Sequence, residues 1–332
     1  MHPFVYVRPE SVDQALASGR GDAAHYVAGG TTLIDLMRLD VIRPRAVIDL
    51  TGLAAAGGLG LASIEDHNGG LKIGALATNT DLAYHPSVMQ RFPALSEALL
   101  SGASPQLRNM ATVGGNLLQR TRCPYFRDVA VACNKRAPGS GCSAIDGYTR
   151  SHAILGTSES CIATHPSDMC VALAALDAVV HTRGAGRERA IPFGEFHTLP
   201  GDHPEVENAL EPGELVTHVE LPASPFAAHA HYVKVRDRAA FAFALASAAV
   251  GLDVADGKIR AARIALGGVA TRPWRAVEAE QALIGQAPNR ASFERAAAAA
   301  IVDPKPRRDN AFKVALAKRT IVRALELAWG VS

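Results

Sequence analysis

All five cysteines of this 332-residue chain, Cys123, Cys133, Cys142, Cys161 and Cys170, fall within about one seventh of its length. Scattered buried thiols do not gather in this way, so the fold has to carry a cysteine-bearing loop to one place. The intervals between them are nine, eight, eighteen and eight residues, without a C-x-x-C pair, which excludes a zinc ribbon or a thioredoxin motif. The opening MHPFVYVRPESVDQ lacks a basic segment followed by an apolar one, so no secretory leader is expected and disulfides are the weaker reading. Irregular spacing in a loop fits a [4Fe–4S] cluster on four thiolates better than structural zinc. Arg120, Arg122, Arg127, Lys135 and Arg136 would offset thiolate charge, and Gly139-Ser140-Gly141 would bend backbone amides toward sulfur. Cys170 lies in the apolar run MCVALAAL, where a small buried thiol is ordinary, whereas Cys161 precedes it in the loop-like SESCIATHP. The expected ligands are therefore Cys123, Cys133, Cys142 and Cys161, against the alternative of inert or partly paired thiols.

The cysteine segment follows directly on a glycine pair, ATVGGNLLQ at 111–119, and a similar pair stands earlier in VAGGTTLIDL at 27–36. In the earlier one a strand runs into Gly29-Gly30 and a helix begins at Thr31 or Thr32. Free backbone N–H groups at such a helix start hold phosphate, and glycine lets the backbone come close. The spacing is not G-x-G-x-x-G, so a Rossmann NAD site is not supported. Taken alone, each stretch also reads as a plain turn: a threonine-capped strand-to-helix turn, and a β-bulge or tight turn beside Thr112 and Asn116. Together they point to a long dinucleotide with two phosphates.

Short strands and helices alternate at the N-terminus: FVYVR, PESVDQALAS opened by Pro9 and Glu10, HYVAGG, TLIDLMRL and RAVIDL, a β-α-β-α-β unit ending near Leu53. A hairpin turning at Asn68-Gly69-Gly70, a helix RFPALSEALLSGA, a helix HPSDMCVALAALDA, a hairpin DAVVHTRGAGRERAIP and LVTHVELP make a second region. HYVKVR and FALASAAVGLDVADGKIRAARIALGG, turning at Asp256-Gly257, form an antiparallel meander, followed by helices RAVEAEQALIG, ASFERAAAAAIV and NAFKVALAKRTIVRALELAWG. The expected division is 1–55, 56–222 with an insertion at about 119–162, and 223–332. A formal net charge of +2 leaves no basic face for nucleic acid, and no apolar run is long enough for a membrane span. Among the twelve histidines His197 and His203 lie close in the loop FHTLPGDH, but there is no H-E-x-x-H or i, i+4 pair, so no metal-hydrolase pattern exists. GLDVADGK has the wrong glycine spacing for a Walker A loop and reads as a hairpin turn.

AGGTTL, ATVGGNLL, HPSDM, YVKVRDRAAFAFALASAAV and GGVATRPWRA resemble the FAD-binding medium subunit of the xanthine oxidase family of molybdenum hydroxylases. The insertion RCPYFRDVAVACNKRAPGSGCSA resembles the periplasmic aldehyde oxidoreductase branch, whose FAD subunit carries a [4Fe–4S] cluster. The resemblance implies an α+β fold: two α/β FAD-binding subdomains of the vanillyl-alcohol-oxidase-like flavin type and a C-terminal α+β domain with an antiparallel sheet and helices. It implies that Ala28, Gly29, Gly30, Thr31, Thr32, Leu33 and Ile34 wrap the pyrophosphate and that Ala111, Thr112, Gly115, Asn116 and Leu118 line its other side. Asp168 is placed near the adenosine half, with Lys234 and the apolar Val216 near the flavin ring. The implied partners are a large molybdenum-cofactor subunit that oxidises an aldehyde, a small [2Fe–2S] subunit, and an external electron acceptor. Purine or N-heterocycle hydroxylation is the runner-up, and a stand-alone flavin oxidase or a zinc-binding thiol scaffold are the rivals. The compartment is either the cytoplasm or, through co-export with a signal-bearing partner, the periplasm.

Overall fold

The computed structural model describes residues 1–21, 23–54, 60–184 and 186–331. The expected boundary at 55/56 and residue 185 of the second hairpin turn lie outside the described residues.

Three sheets order the chain. β1 (Val5–Val7), β2 (Ala24–Val27) and β3 (Ala46–Asp49) form a parallel sheet in the order β1-β3-β2, joined by helices Val12–Gly19 and Leu33–Arg38. The first helix begins one residue after Ser11, whose hydroxyl accepts from Gln14 N–H at 3.2 Å, so the serine and not Pro9 or Glu10 is the cap. β4 (Ile64–His67) and β5 (Gly70–Gly74) are the expected hairpin. With β6 (Val179–Arg183), β7 (Glu188–Pro192) and β8 (Leu215–Leu221) they make an antiparallel five-stranded sheet ordered β4-β5-β8-β6-β7. The last strand in sequence thus sits in the middle, a long-range pairing that local pattern does not reveal.

β9 (Ala230–Val235), β10 (Ala246–Ala255) and β11 (Lys258–Gly267) form the expected meander, extended by the short β12 (Trp274–Arg275). Helices Val277–Leu283, Arg290–Ala299 and Phe312–Ala328 bury Leu283, Phe293, Ile321 and Leu325 against it. Between β5 and β6 come the helices Pro93–Ser101 and Asp168–Ala175, which pack Leu95, Leu99, Val171 and Leu173 into one core with the second sheet. Helix Asp168–Ala175 also reaches the third sheet: a Cβ on Gly267 would lie 2.5 Å from Val171 Cγ2. That close approach brings the first residue of the helix, Asp168, beside β9. Among the described residues no helix is long and apolar enough to cross a membrane.

Candidate functional site

The two glycine turns are packed on one another. A Cβ built on Gly29 would stand 1.7 Å from the carbonyl oxygen of Met110, so only glycine lets residues 28–30 lie against the chain entering the second turn. Gly30 has φ +70°, the left-handed region, and its carbonyl accepts from Ile34 N–H at 3.2 Å to start helix Leu33–Arg38. Thr32 is the N-cap without a side-chain capping bond, which leaves its hydroxyl for other partners. The second turn is a short helix, Val113–Leu117, rather than a bulge; Thr112 Oγ1 caps it by accepting from Gly115 N–H at 3.2 Å. Gly114 N–H is committed to Ala75 O at 2.8 Å, which fixes the turn to the second sheet.

Two clefts open on these turns. The smaller, about 320 Å³, is lined by Ala28, Gly29, Gly30, Thr31, Thr32, Leu33, Thr112, Gly115, Leu118 and Val216 among others. The larger, about 640 Å³, takes Thr31, Thr32 and Gly115 again, with Ala111, Asn116, Asp168 and Lys234. The shared residues make the clefts continuous. Every cofactor residue expected from the sequence therefore lines this space except Ile34, whose side chain packs against Gly30. Asn116 Oδ1 accepts from Ser167 Oγ at 2.8 Å and from Gln119, so its NH₂ is the part left to donate. Three buried polar atoms of residues along the larger cleft, Asn79 Oδ1, Arg108 Nε and Arg122 Nη1, have no hydrogen-bond partner within the protein, as expected where a polar ligand completes the wall.

Asp168 and Lys234 do not sit at opposite ends of this space. Lys234 Nζ donates to Asp168 Oδ2 at 2.7 Å, and Tyr232 OH donates to Asp168 Oδ1 at 2.5 Å. The two side chains are 3% and 10% exposed, so this is a buried ion pair on one wall. Burial and the adjacent Asp168 carboxylate hold the Tyr232 hydroxyl well above its ordinary range, so it remains a donor. β9 and the helix start thus bring together two residues that the sequence marked separately, Asp168 for the adenosine half and Lys234 for the ring.

All five cysteines are free. Cys123, Cys133 and Cys161 are buried with Leu36, Phe126 and Ile162 in one small core, against which Cys142 packs. Cys133 and Cys142 face each other across an antiparallel bridge, and Cys123 and Cys161 border the same small core. Burial pushes the Cys123 thiol up to about 12, and those of Cys142 and Cys161 upward, so a cation is needed to hold them as thiolates. Backbone N–H groups of Phe126 and Tyr125 are directed at Cys123, those of Ala144, Ile145 and Ile162 at Cys142, and that of Ala163 at Cys161. Four sulfurs with amide donors around them fit an iron–sulfur cluster.

The basic residues are arranged differently from expectation. Arg120 and Lys135 pair with Glu207, Arg127 binds Asp35 with both nitrogens at 2.8 and 3.0 Å, and Arg136 holds carbonyls of Tyr125, Phe126 and Val131. Lys135 lies near enough to act on the sulfur of Cys161. Ser140 and Gly141 do not aim their amides at sulfur: Ser140 N–H goes to Ala137 O at 3.1 Å. Gly141 N–H goes to Asn134 Oδ1 at 2.7 Å, and Ser140 Oγ takes Cys133 N–H at 3.1 Å. The arginines brace the loop.

Residues 2–224 match the family model described as the FAD binding domain in molybdopterin dehydrogenase. The chain belongs to the FAD-binding subunits of the molybdenum hydroxylase family. Residues 230–328 match the CO dehydrogenase flavoprotein C-terminal domain. The chain is 49% identical over 327 residues to the aldehyde oxidoreductase FAD-binding subunit PaoB of Escherichia coli (strain K12), covering 98% of each. It is 26% identical to the carbon monoxide dehydrogenase medium chain of Hydrogenophaga pseudoflava, covering 98% of this chain and 97% of that one. A solved carbon monoxide dehydrogenase from the same organism superposes with a TM-score of 0.76 at 28% identity, covering 100% of this chain and 99% of that one. The α+β flavoprotein fold expected from the sequence is therefore the one adopted, and the chain is an oxidoreductase subunit with an FAD-binding domain.

Two histidines meet the fifth cysteine. His165, Cys170 and His197 converge, with ligand atoms within 4.8 Å of one another. His197 Nε2–H donates to Leu117 O at 3.0 Å, and His165 Nδ1 accepts from Ser167 N–H at 3.4 Å, so both protons sit on Nε2. Burial pushes the Cys170 thiol up to about 12 and keeps both rings neutral. One free lone pair and a neutral thiol make this a packed polar junction under the helix start. It also explains why Cys170 stands apart from the other thiols. A second unanticipated residue, His152, places Nε2 3.2 Å from Cys123 Sγ; a lone histidine in TRSHAIL carries no motif that would single it out.

Proposed function

We propose that this chain is the FAD and [4Fe–4S] subunit of a heterotrimeric molybdenum-dependent aldehyde oxidoreductase, passing electrons from a small [2Fe–2S] partner to an external acceptor. Its parts would be two FAD-binding subdomains, 1–55 and 56–222, and a C-terminal domain, 223–332. The observation that carries the reading is the adjacency of Arg122 and Cys123. Arg122 lines the larger cleft, and a cavity of about 390 Å³ holds Arg122 and Cys123 together with Pro166, Asp168 and Phe241–Phe243 of that same cleft. The thiol shell and the cleft thus share a wall, which suits electron exchange between the groups they hold. The 49% identity to an aldehyde oxidoreductase FAD-binding subunit supports the aldehyde over the purine or N-heterocycle alternative.

When bound, FAD supplies the chemistry of accepting electrons singly and releasing them singly or in pairs, and the cluster supplies one-electron transfer. The protein's own work is to hold and orient. Gly29 and Gly30 bring backbone close to the pyrophosphate, Thr31, Thr32 and the Asn116 amide donate to it, and Leu118 and Val216 exclude water. The Asp168–Lys234–Tyr232 group fixes one end. Cys123, Cys133, Cys142 and Cys161 would ligate the cluster.

Asn116→Ala removes one donor of about 1 kcal/mol, so FAD dissociation should strengthen several-fold. Asn116→Asp keeps the oxygen that Ser167 uses yet sets a charge against phosphate, and should lose more. Flavin-to-protein ratios after gel filtration and dilution measure both. Stoichiometric, equally tight FAD in both variants contradicts the placement of the pyrophosphate.

A further inference from the structure

We infer that His152 tunes the iron–sulfur site by donating its Nε2–H to the sulfur of Cys123. This rests on the reading of Cys123 as a cluster ligand. Nε2 lies 3.2 Å from Sγ, and both residues are buried, at 1% and 9% exposure. A thiolate bound to iron only accepts, so the ring nitrogen facing it carries the proton. Nδ1, which has no hydrogen-bond partner, is then the bare lone pair.

The ring is held there from far along the chain. Asn310, fully buried, donates its Nδ2 to the carbonyls of His152 at 3.3 Å and Ala153 at 3.2 Å, across 158 and 157 residues. His152 N–H goes to Thr149 O at 2.9 Å, and the ring packs beside Tyr125 with centroids 6.0 Å apart. The C-terminal region therefore sets the position of a side chain on a cluster ligand. At Cys142 and Cys161 the donors are backbone amides, so His152 is a side-chain donor that sequence can vary.

The consequence has a sign. Adding one electron to the site raises the negative charge on its sulfurs, and a hydrogen bond to sulfur stabilises the reduced state more than the oxidised one. The proton stays on Nε2 in both states, so one electron is taken up and no bond is broken. Removing the donor makes reduction harder. The neighbouring charge that bears on the ring is Lys313, itself buried with Nζ on Gly268 O at 2.6 Å; it is unaltered by the exchange.

The test uses the assembled complex. His152→Met fills similar space without a donor, and His152→Gln restores one. The Met variant is expected to retain its iron and sulfide, while the reduction equilibrium constant of the [4Fe–4S] site falls about tenfold, or about 59 mV for one electron in an EPR-monitored titration; Gln should recover most of this. Full iron with an unchanged midpoint in the Met variant overturns the inference while leaving the ligand reading intact. No such iron in the unmodified protein overturns the ligand reading instead. If the Met variant assembles no cluster, pulsed EPR of the reduced, ¹⁵N-histidine-labelled unmodified complex decides. Coupling to a histidine nitrogen and an exchangeable proton supports the bond, and their absence overturns it.

Discussion

Cys142→Ser should strip this chain of most of its iron, from about four atoms to fewer than about one, while Cys170→Ser should leave the content unchanged. Cys142 is partly buried and Cys170 fully buried, but burial does not pick out ligands, since Cys123, Cys133 and Cys161 are buried too. Company does. Cys142 faces Cys133 across a bridge and receives amide N–H groups from Ala144, Ile145 and Ile162. Cys170 is fully buried in helix Asp168–Ala175, between two histidines and under the Ser167 cap, whose hydroxyl accepts from Cys170 N–H at 3.1 Å. Serine keeps the volume of either site but supplies a hard, weakly acidic oxygen where soft thiolate is wanted. Iron and acid-labile sulfide on the purified variants give the answer. Equal loss from both, or from neither, overturns the choice of ligands.

Gly29→Ala is expected to cost more than Gly30→Ala, although Gly30 is the residue in the left-handed region. At Gly30, alanine meets an ordinary backbone penalty of about 1 kcal/mol and a contact of 3.1 Å with the mobile Ile34 side chain. At Gly29 the added methyl would overlap the backbone carbonyl of Met110, oxygen at 1.7 Å and carbon at 2.5 Å, and backbone cannot swing aside. The two turns must separate, at about 3 kcal/mol or more. Because Thr31, Thr32 and Gly115 join the two clefts at that contact, the loss of FAD should exceed the loss of stability. Thermal melts with and without added FAD separate the effects. A Gly29→Ala chain that melts normally and holds FAD at full stoichiometry contradicts the packing argument.

The glycine example shows what the sequence could tell and what it could not. VAGGTTLIDL and ATVGGNLLQ announce turns at helix starts, because strand periodicity, glycine and threonine caps are local signals. That Gly29 is needed for Met110, 81 residues on, is a fact of packing and has no local trace. Asp168 and Lys234 were each visible as single residues, yet their ion pair depends on β9 meeting a helix start, which only the assembled sheets dictate. The hairpins at Asn68-Gly69 and Asp256-Gly257 were legible for the same reason the central place of β8 was not: turns are written locally, and strand order is not. In the cysteine segment the thiols stood out by composition. Their donors did not, since backbone amides carry no residue code and the arginines that crowd the segment face carboxylates and carbonyls.

One chain holding both cofactors across a shared wall is the central expectation. An absorption spectrum of the purified chain, paired with iron, acid-labile sulfide and flavin assays, tests this most directly. One FAD with about four irons and a matching amount of sulfide is expected. FAD without iron would contradict it, leaving a flavoprotein of the family whose four clustered thiols bind nothing.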